Sequence, residues 1–212
     1  MIGPPGSGKT TTAHRIRAAI RGTMVVSRDY FRFPYKGECC LDKYSMAEGE
    51  IVDRRFYQYA EAQLSLDEYS TVILDATFRE RAKRKAALEF AKNHGCQPMI
   101  IECVCGKETL VERLTRQQQI GEKRFIKPPE DVVEYYLNNI QELNGELEFA
   151  SYIQLDTEKN KIVSRSLFED CMGHAKMITC ILDEPFDPSL FYVNYEGRLT
   201  IDLSIPKFFL SK

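Results

Sequence analysis

Along the first 157 residues, short unbroken apolar runs alternate with longer stretches in which apolar side chains recur every three or four positions. The runs predict strands and the stretches predict helices. Ala13, Ile16 and Ile20 set a helix over residues 8–21, with Gly22 placed as its C-terminal cap. Thr23–Ser27 reads as a short strand. Ser45 and Glu48 form a Ser-x-x-Glu capping box, so a second helix starts at Ser45, with Phe56, Ala60 and Leu64 along one face. Thr71–Asp75 (TVILD) has the continuous apolar character of a strand buried on both faces. A basic helix from Glu80 to Asn93 is expected to turn Ala82, Ala86 and Phe90 inward and to stop at Gly95. Pro98–Val104 is the next strand, and Lys107–Gln118 a helix with Leu110, Val111 and Leu114 inward. Pro129 suits the first turn of a helix running to about Leu143, and Ser151–Leu155 closes the series as a strand.

Strands alternating with helices imply parallel pairing and right-handed crossovers. The expected fold class is therefore α/β, a three-layer domain with a parallel sheet over residues 1–157. Residues 158–212 break the rhythm and read as a C-terminal extension. Within it, Ile162–Met177 is expected to be a weakly amphipathic helix. The stretch LFYVNYEGRLTIDLSI predicts a β-hairpin: Leu199, Ile201, Leu203 and Ile205 alternate with Arg198, Thr200, Asp202 and Ser204, Gly197 supplies the turn and Pro206 marks the end.

Gly3 to Thr10 (GPPGSGKT) is a complete G-x-x-x-x-G-K-[ST] phosphate-binding loop. Its glycines let backbone amides fold toward an anion, and the following helix aims its positive end at the same point. Lys9 would reach the β- and γ-phosphates, and the Thr10 hydroxyl would ligate Mg²⁺. The expected nucleotide contacts are Gly3, Pro4, Pro5, Gly6, Ser7, Gly8, Lys9, Thr10 and Thr11. A strand normally precedes such a loop, and here only Met1 and Ile2 stand in that place. The sequence reads as cut short at its start; the alternative is that Leu199–Ile205 fills the missing slot, since an empty one leaves backbone groups unpaired on both neighbours.

Three further constellations could act on a bound nucleotide. In SRDYFR, Asp29 follows a strand on the edge that carries the phosphate loop, and Arg32 sits three residues on. A carboxylate there can accept the proton of an attacking hydroxyl, and a guanidinium can hold an anionic group in its fork. In LDATF, Asp75 ends an apolar strand as a Mg²⁺-binding carboxylate would, and Thr77 could touch substrate or cap the next helix. Arg113, Arg116, Lys123, Arg124 and Lys127 gather five cations against the single acid Glu122, a set suited to closing over a transferred phosphoryl group.

Composition limits the alternatives. The net charge is −2, so nucleic-acid contact would need a local basic patch such as RERAKRK (Arg79–Lys85), with five cations and one acid. No apolar run reaches the roughly 20 residues that span a bilayer. With the phosphate loop at the N-terminus no signal peptide is expected, and the cytoplasm is the expected compartment. Seven cysteines, at 39, 40, 96, 103, 105, 171 and 180, form no Cys-x-x-Cys and read as thiols of a reducing compartment. His14, His94 and His174 have no partner at ligand spacing, so no zinc site is assigned.

Taken in order, the phosphate loop, SRDYFR, LDATF with its basic helix, LVERLTR and a Pro-x-x-x-Val helix start resemble the polynucleotide 5′-hydroxyl kinase group of P-loop kinases, near the zeta-toxin-like kinases. The likeness covers Gly3 to Leu143. It implies ATP with Mg²⁺, and a nucleic-acid 5′-hydroxyl as acceptor. By the resemblance Lys9 and Thr10 hold ATP and Mg²⁺, and Asp29 is the general base. Arg32 binds substrate or the active-site carboxylate, Asp75 helps arrange the substrate side, and Arg113 lies in the lid; Thr77 and Arg79 are further substrate-binding candidates. The family's later lid arginine falls near Arg116 or Gln117. The phosphatase domain that accompanies some members, with its Asp-x-Asp signature, has no counterpart here. A small-molecule or nucleotide-sugar kinase and a non-catalytic nucleotide-binding module are the competing readings, because a scaffold does not fix a substrate. The partner of the C-terminal extension is not specified by its sequence.

Overall fold

The computed structural model describes residues 1–32, 45–66, 69–119, 127–143, 147, 149–168, 172–185, 191–193 and 199–201. Among these are six α-helices: α1 (Lys9–Ala19), α2 (Met46–Leu64), α3 (Arg81–Asn93), α4 (Lys107–Gln119), α5 (Pro129–Asn139) and α6 (Met172–Asp183). The strands are β1 (Thr23–Ser27), β2 (Thr71–Asp75), β3 (Met99–Val104), β4 (Ser151–Asp156), β5 (Lys161–Ser166), β6 (Phe191–Val193) and β7 (Leu199–Ile201), and a 3-10 turn covers Arg28–Phe31. The α2 capping box forms as expected, with Ser45 and Glu48 each satisfying the other's amide. Gly22 and Gly95 end their helices at positive φ, 70° and 64°, where a side chain would be strained.

The sheet is in two pieces. β1 pairs with β2 and β3 with β4, both parallel, while β5 adds to β4 antiparallel. Among the described residues, only Met1 and Ile2 lie between β2 and β3. The Ile2 amide donates to the Ile101 carbonyl at 2.8 Å and the Cys103 amide to the Ile2 carbonyl at 2.8 Å, while the Met1 ammonium donates to the Leu74 carbonyl at 2.9 Å. Alternate strand residues feed opposite layers. Val25, Ile101 and Ile153 pack with α1 and α6 through Ala13, Ile16, Ile178 and Leu182. Val26, Ile100 and Tyr152 pack with α2 through Phe56 and Ala60, and with α3 through Ala87, Leu88 and Phe90. A third cluster joins α4 to α5 through Leu110, Leu114, Val132 and Val133. This is the expected P-loop kinase-like α/β layering.

Four readings are corrected. Ile162–Met177 is not one helix: β5 occupies residues 161–166 and α6 starts at Met172. Only Ile162 is even half-buried along β5, so this edge strand has no alternating apolar face to announce it. The turn before it is built by Asp156, whose carboxylate accepts from the Glu158 and Lys159 amides. Arg15 on α1 then ties this region to the core, donating to Asn160 and to the Ile181 and Glu184 carbonyls. β2 is the second correction: Thr71–Leu74 are half-exposed rather than buried on both faces, and among the described residues the edge of β2 away from β1 is met by Met1 at Leu74. In α3, Ala82 is exposed, and the deepest inward residue is Arg84, 2% exposed. Finally, the described residues of Leu199–Ile205 do not fill the slot; β7 pairs antiparallel with β6, in register Phe191↔Ile201, which is the expected hairpin. Gly197 and Pro206 lie outside the described residues, as do the residues of DYFRFPYKGECC after Arg32.

Candidate active site

The phosphate loop hangs from Ile2 and runs into α1 on the carboxyl edge of the strands, where open parallel sheets bind ligands. Gly3, Gly6 and Gly8 adopt φ of 142°, 80° and 82°. A methyl group at Gly3 would lie 2.4 Å from the Cys103 carbonyl oxygen and 2.6 Å from Ser7 Oγ, so the concave curl tolerates only hydrogen. Gly8 is the N-cap of α1 and offers no side-chain acceptor; the first turn carries no acid. Its amides and dipole are therefore left for an external anion. Ser7 Oγ is fully buried inside the curl with no hydrogen-bond partner in the protein. Lys9 is buried, with Nζ donating to the Pro4 carbonyl at 2.7 Å across the loop. An orphaned hydroxyl, a cradle lined by amides and a lysine laid across it fit a nucleotide's terminal phosphates.

Thr10 Oγ1 donates to Asp75 Oδ2 at 2.7 Å. Residues 65 positions apart thus meet at the loop's mouth, since β2 delivers Asp75, 4% exposed, to the edge where α1 begins. A hydroxyl and a single carboxylate suit Mg²⁺, which keeps most of its waters and borrows phosphate oxygens. Among the described residues no cluster of three or more His, Cys, Asp or Glu could hold another metal.

Asp29 lies in the 3-10 turn two residues beyond Ser27, and Ser27 is in register with Asp75. Arg32 Nη1 donates to Asp29 Oδ1 at 3.1 Å, so the expected i,i+3 pair forms, with Asp29 39% exposed toward solvent. Tyr30 sits within the field of both carboxylates. Burial first, then Asp75 and Asp29, push its phenol above the usual range. The Gly3 amide points at the Thr77 carbonyl at 3.4 Å, and the Thr77 side chain bonds Tyr136, whose phenol is raised chiefly by burial. Arg79 stacks over Tyr135 at 5.0 Å and Tyr136 at 5.6 Å, and Lys127 lies 5.9 Å from the Tyr135 ring. Asp29, Thr77, Arg79 and the α5 tyrosines thus form a second wall facing the phosphate loop.

Arg113 and Arg116, the arginines expected in the lid, both lie on α4. Arg113 Nη1 donates to the Gly6 carbonyl at 3.1 Å and to Thr157 Oγ1 at 3.0 Å, and Nη2 to the Thr157 carbonyl at 3.1 Å. Thr157 Oγ1 donates in turn to the Ser7 carbonyl at 2.9 Å. Arg113 therefore braces the phosphate loop. Arg116 is 75% exposed and, among the described residues, pairs with Glu112, one turn back on α4. Lys123 and Arg124 lie outside the described residues. Thr11 is half-buried beside Thr10 on α1.

Sequence reasoning missed five contributors. Thr157 is the first residue after β4 and could have been found as a hydroxyl at a strand's carboxyl end. Asp53 on α2 holds both Arg28 and Lys83. Arg84 donates to the Phe78, Arg79 and Glu142 carbonyls at 3.1, 3.0 and 2.8 Å, fixing the turn in which Phe78 takes a positive φ of 43°. Tyr135 and Tyr136 carry no motif. The basic patch RERAKRK is accordingly no open cationic track: Arg84 is internal, Lys83 pairs with Asp53, Lys85 with Glu89 and Arg79 with Glu80. Cys103, buried under the loop, has its thiol pushed up to about 11 by burial, which keeps it unreactive. Cys96, Cys103, Cys105 and Cys180 are free thiols. No helix among the described residues is long and apolar enough to cross a membrane.

A glycine-rich loop feeding α1, the Thr10–Asp75 pair and helices on both faces of a mainly parallel sheet define a P-loop kinase-like nucleotide-binding domain. The chain belongs to the AAA domain family, whose model matches residues 1–143. Among curated proteins it is 28% identical over 180 residues to 6-phosphofructo-2-kinase/fructose-2,6-bisphosphatase 1 of Bos taurus and 33% identical to that of Mus musculus, in each case over 73% of this chain. The chain spans only 37% of the length of these relatives. A candidate kinase from Chloroflexus aurantiacus shares the fold, with a TM-score of 0.60 at 18% identity over 85% of this chain and 93% of that one.

Proposed function

We propose that the chain is an ATP-dependent phosphotransferase acting on a hydroxyl acceptor held beside Asp29. The observation that carries this reading is the Thr10–Asp75 hydrogen bond, which joins a metal-suited pair to the phosphate loop one strand away from the Asp29 turn. The Asp29 carboxylate takes the acceptor's proton. The acceptor oxygen bonds the γ-phosphorus as the bridging P–O bond to the β-phosphate breaks, and ADP leaves with that electron pair. Lys9 and the amides of the loop stabilise charge on the transferred group, and Mg²⁺ on Thr10 and Asp75 would neutralise the β- and γ-oxygens. Arg32 holds Asp29 in place. Free thiols suit a reducing compartment, the cytoplasm in our reading.

The order of the motifs supports a nucleic-acid 5′-hydroxyl as acceptor. A second reading, a small phosphorylated sugar, draws on the likeness to 6-phosphofructo-2-kinase/fructose-2,6-bisphosphatase 1 and on the engaged cations of α3. Arg79 and Lys127 around Tyr135 offer a compact seat for one anionic group rather than an extended track.

Transfer of labelled γ-phosphate should be measured over 5′-hydroxyl oligonucleotides, sugar phosphates and nucleosides. Transfer to the oligonucleotide, abolished in Asp29→Asn, is the expected result. Transfer confined to sugar phosphates selects the second reading. ATP binding without transfer to any acceptor reduces the chain to a nucleotide-binding module.

A further inference from the structure

The 3-10 turn Arg28–Phe31, which carries Asp29, has no buried residue, and Ser27 gives it no side-chain cap. Burial alone does not place so short a piece. Its periodicity shows what does. A 3-10 turn has three residues per turn, so side chains three apart share a face. Arg28 and Phe31 form one such face, and Asp29 and Arg32 the next.

The first face lies on α2. Arg28 Nε donates to Asp53 Oδ1, and Nη2 to the Gly49 carbonyl at 3.4 Å. The Phe31 ring meets Phe56 at 6.3 Å and Tyr59 at 5.7 Å between centroids. Gly49, Asp53 and Phe56 fall at i, i+4 and i+7, along one stripe of the helix. With that face held, the other, on which Arg32 pairs with Asp29 at 3.1 Å, has its direction set.

Asp53 has a second arm. Its Oδ2 accepts from Lys83 Nζ on α3. α3 follows the Thr77–Arg79 segment, which leaves β2 beside the Asp29 turn because Ser27 and Asp75 are in register. One carboxylate therefore takes a cation from each of the two segments that follow β1 and β2, one oxygen to each. The side chains of Arg28 and Asp53 are 18% and 15% exposed, so breaking this pair costs more than breaking a surface one.

We infer that Asp53 is a positioning residue: it sets the distance between the Asp29 turn and the start of α3, and with it the geometry in which Asp29 and Arg79 meet one acceptor. The tie between the two segments is independent of the phosphotransferase reading; its effect on an acceptor rests on that reading.

The test is Asp53→Asn in the full chain, with Arg28→Met cutting the same arm from the other end should the first variant not fold. Hydrogen exchange is read at the Arg32 amide, which donates to the Asp29 carbonyl, and at the Thr12 amide, which donates to the Gly8 carbonyl and serves as the reference. Exchange at Arg32 is expected to quicken about tenfold in the variant while Thr12 keeps its rate. In transfer assays kcat is expected to fall about tenfold with the ATP KM unchanged, and Asp53→Glu, which keeps the carboxylate, is expected to recover most of it. Unchanged exchange at Arg32 overturns the inference. So does faster exchange at both amides together, since Asp53 then supports the whole fold rather than this turn, and so does a faster Arg32 amide with wild-type kcat. If the wild-type chain transfers phosphate to no acceptor, the proposed function falls, and the contrast between the two amides still decides whether Asp53 holds the turn.

Discussion

Arg113 and Arg84 perform the same task on two different turns of the chain. Arg113 reaches from α4 to the Gly6 and Thr157 carbonyls and holds the nucleotide loop. Arg84 reaches from α3 to the Phe78, Arg79 and Glu142 carbonyls and holds the turn that follows β2. Each guanidinium presents a rigid fork of donors, which suits it to collecting several backbone oxygens at once. The turns differ in what is braced. On the donor side the ligand groups are backbone amides in a glycine curl. Where we propose that the acceptor binds they are side chains, Asp29, Arg79 and Tyr135, from three elements. Bracing the first fixes chemistry that many sequences share, whereas bracing the second leaves recognition to whatever side chains stand there.

The largest effect is expected where the two walls meet. Asp75→Asn keeps an oxygen for Thr10 but loses the charge that suits a divalent cation. Phosphoryl transfer should fall about 10²–10³-fold in kcat with little change in the ATP KM. Wild-type kcat in Asp75→Asn would show that the pair does not serve the reaction.

Next comes the Arg84 brace. Arg84→Met leaves three carbonyls without their donor and releases a turn that holds a non-glycine residue at positive φ. A loss of about 3 kcal/mol follows, or roughly 6–12 °C in Tm. Thermal unfolding checks it, and Arg84→Lys should not restore stability because one ammonium lacks the fork. The donor brace is milder, since the loop keeps its glycines and Thr157 still bonds Ser7. Arg113→Ala should weaken ATP binding about 10-fold, near 1.4 kcal/mol, by equilibrium titration, and leave the acceptor KM unchanged. Arg79→Ala should do the reverse: about a fivefold rise in acceptor KM, with ATP binding intact.

The same contrast explains what the sequence made legible. The phosphate loop, α1 and Asp75 are read from spacing, because fixed backbone geometry demands fixed residue types in a row. Arg113 and Arg84 were visible as cations but not as braces. Which way an arginine on a helix turns is decided by packing with distant segments, here Thr157 and Glu142. The Ala82, Ala86 and Phe90 face missed by a fraction of a turn for this reason: counting arginine as solvent-facing rotates the inferred inner side of α3. β5 was hidden by its edge position.

The smallest expected effect separates the two walls by pH. His14 on α1 is 3% exposed, and its Nδ1 has no hydrogen-bond partner. Burial lowers its pKa in the folded protein, opposed by the Asp75 carboxylate and aided by Arg17. In the unfolded chain the imidazole returns to about 6.5. Between the two values the unfolded state binds more protons, so stability falls as pH drops through about 6.5 and is indifferent to this group above it. His94, exposed on the far side of α3, acts with the opposite sign: the Phe90 carbonyl and Glu61 raise its pKa. Its contribution is present below about 6.5 and lost as pH rises through the folded value. Only the difference between wild type and His14→Gln therefore isolates the buried ring. Melting curves from pH 7.5 to 5.5 should fall more steeply for wild type than for the variant. Parallel curves would mean that the imidazole under the phosphate loop reaches solvent in the folded state.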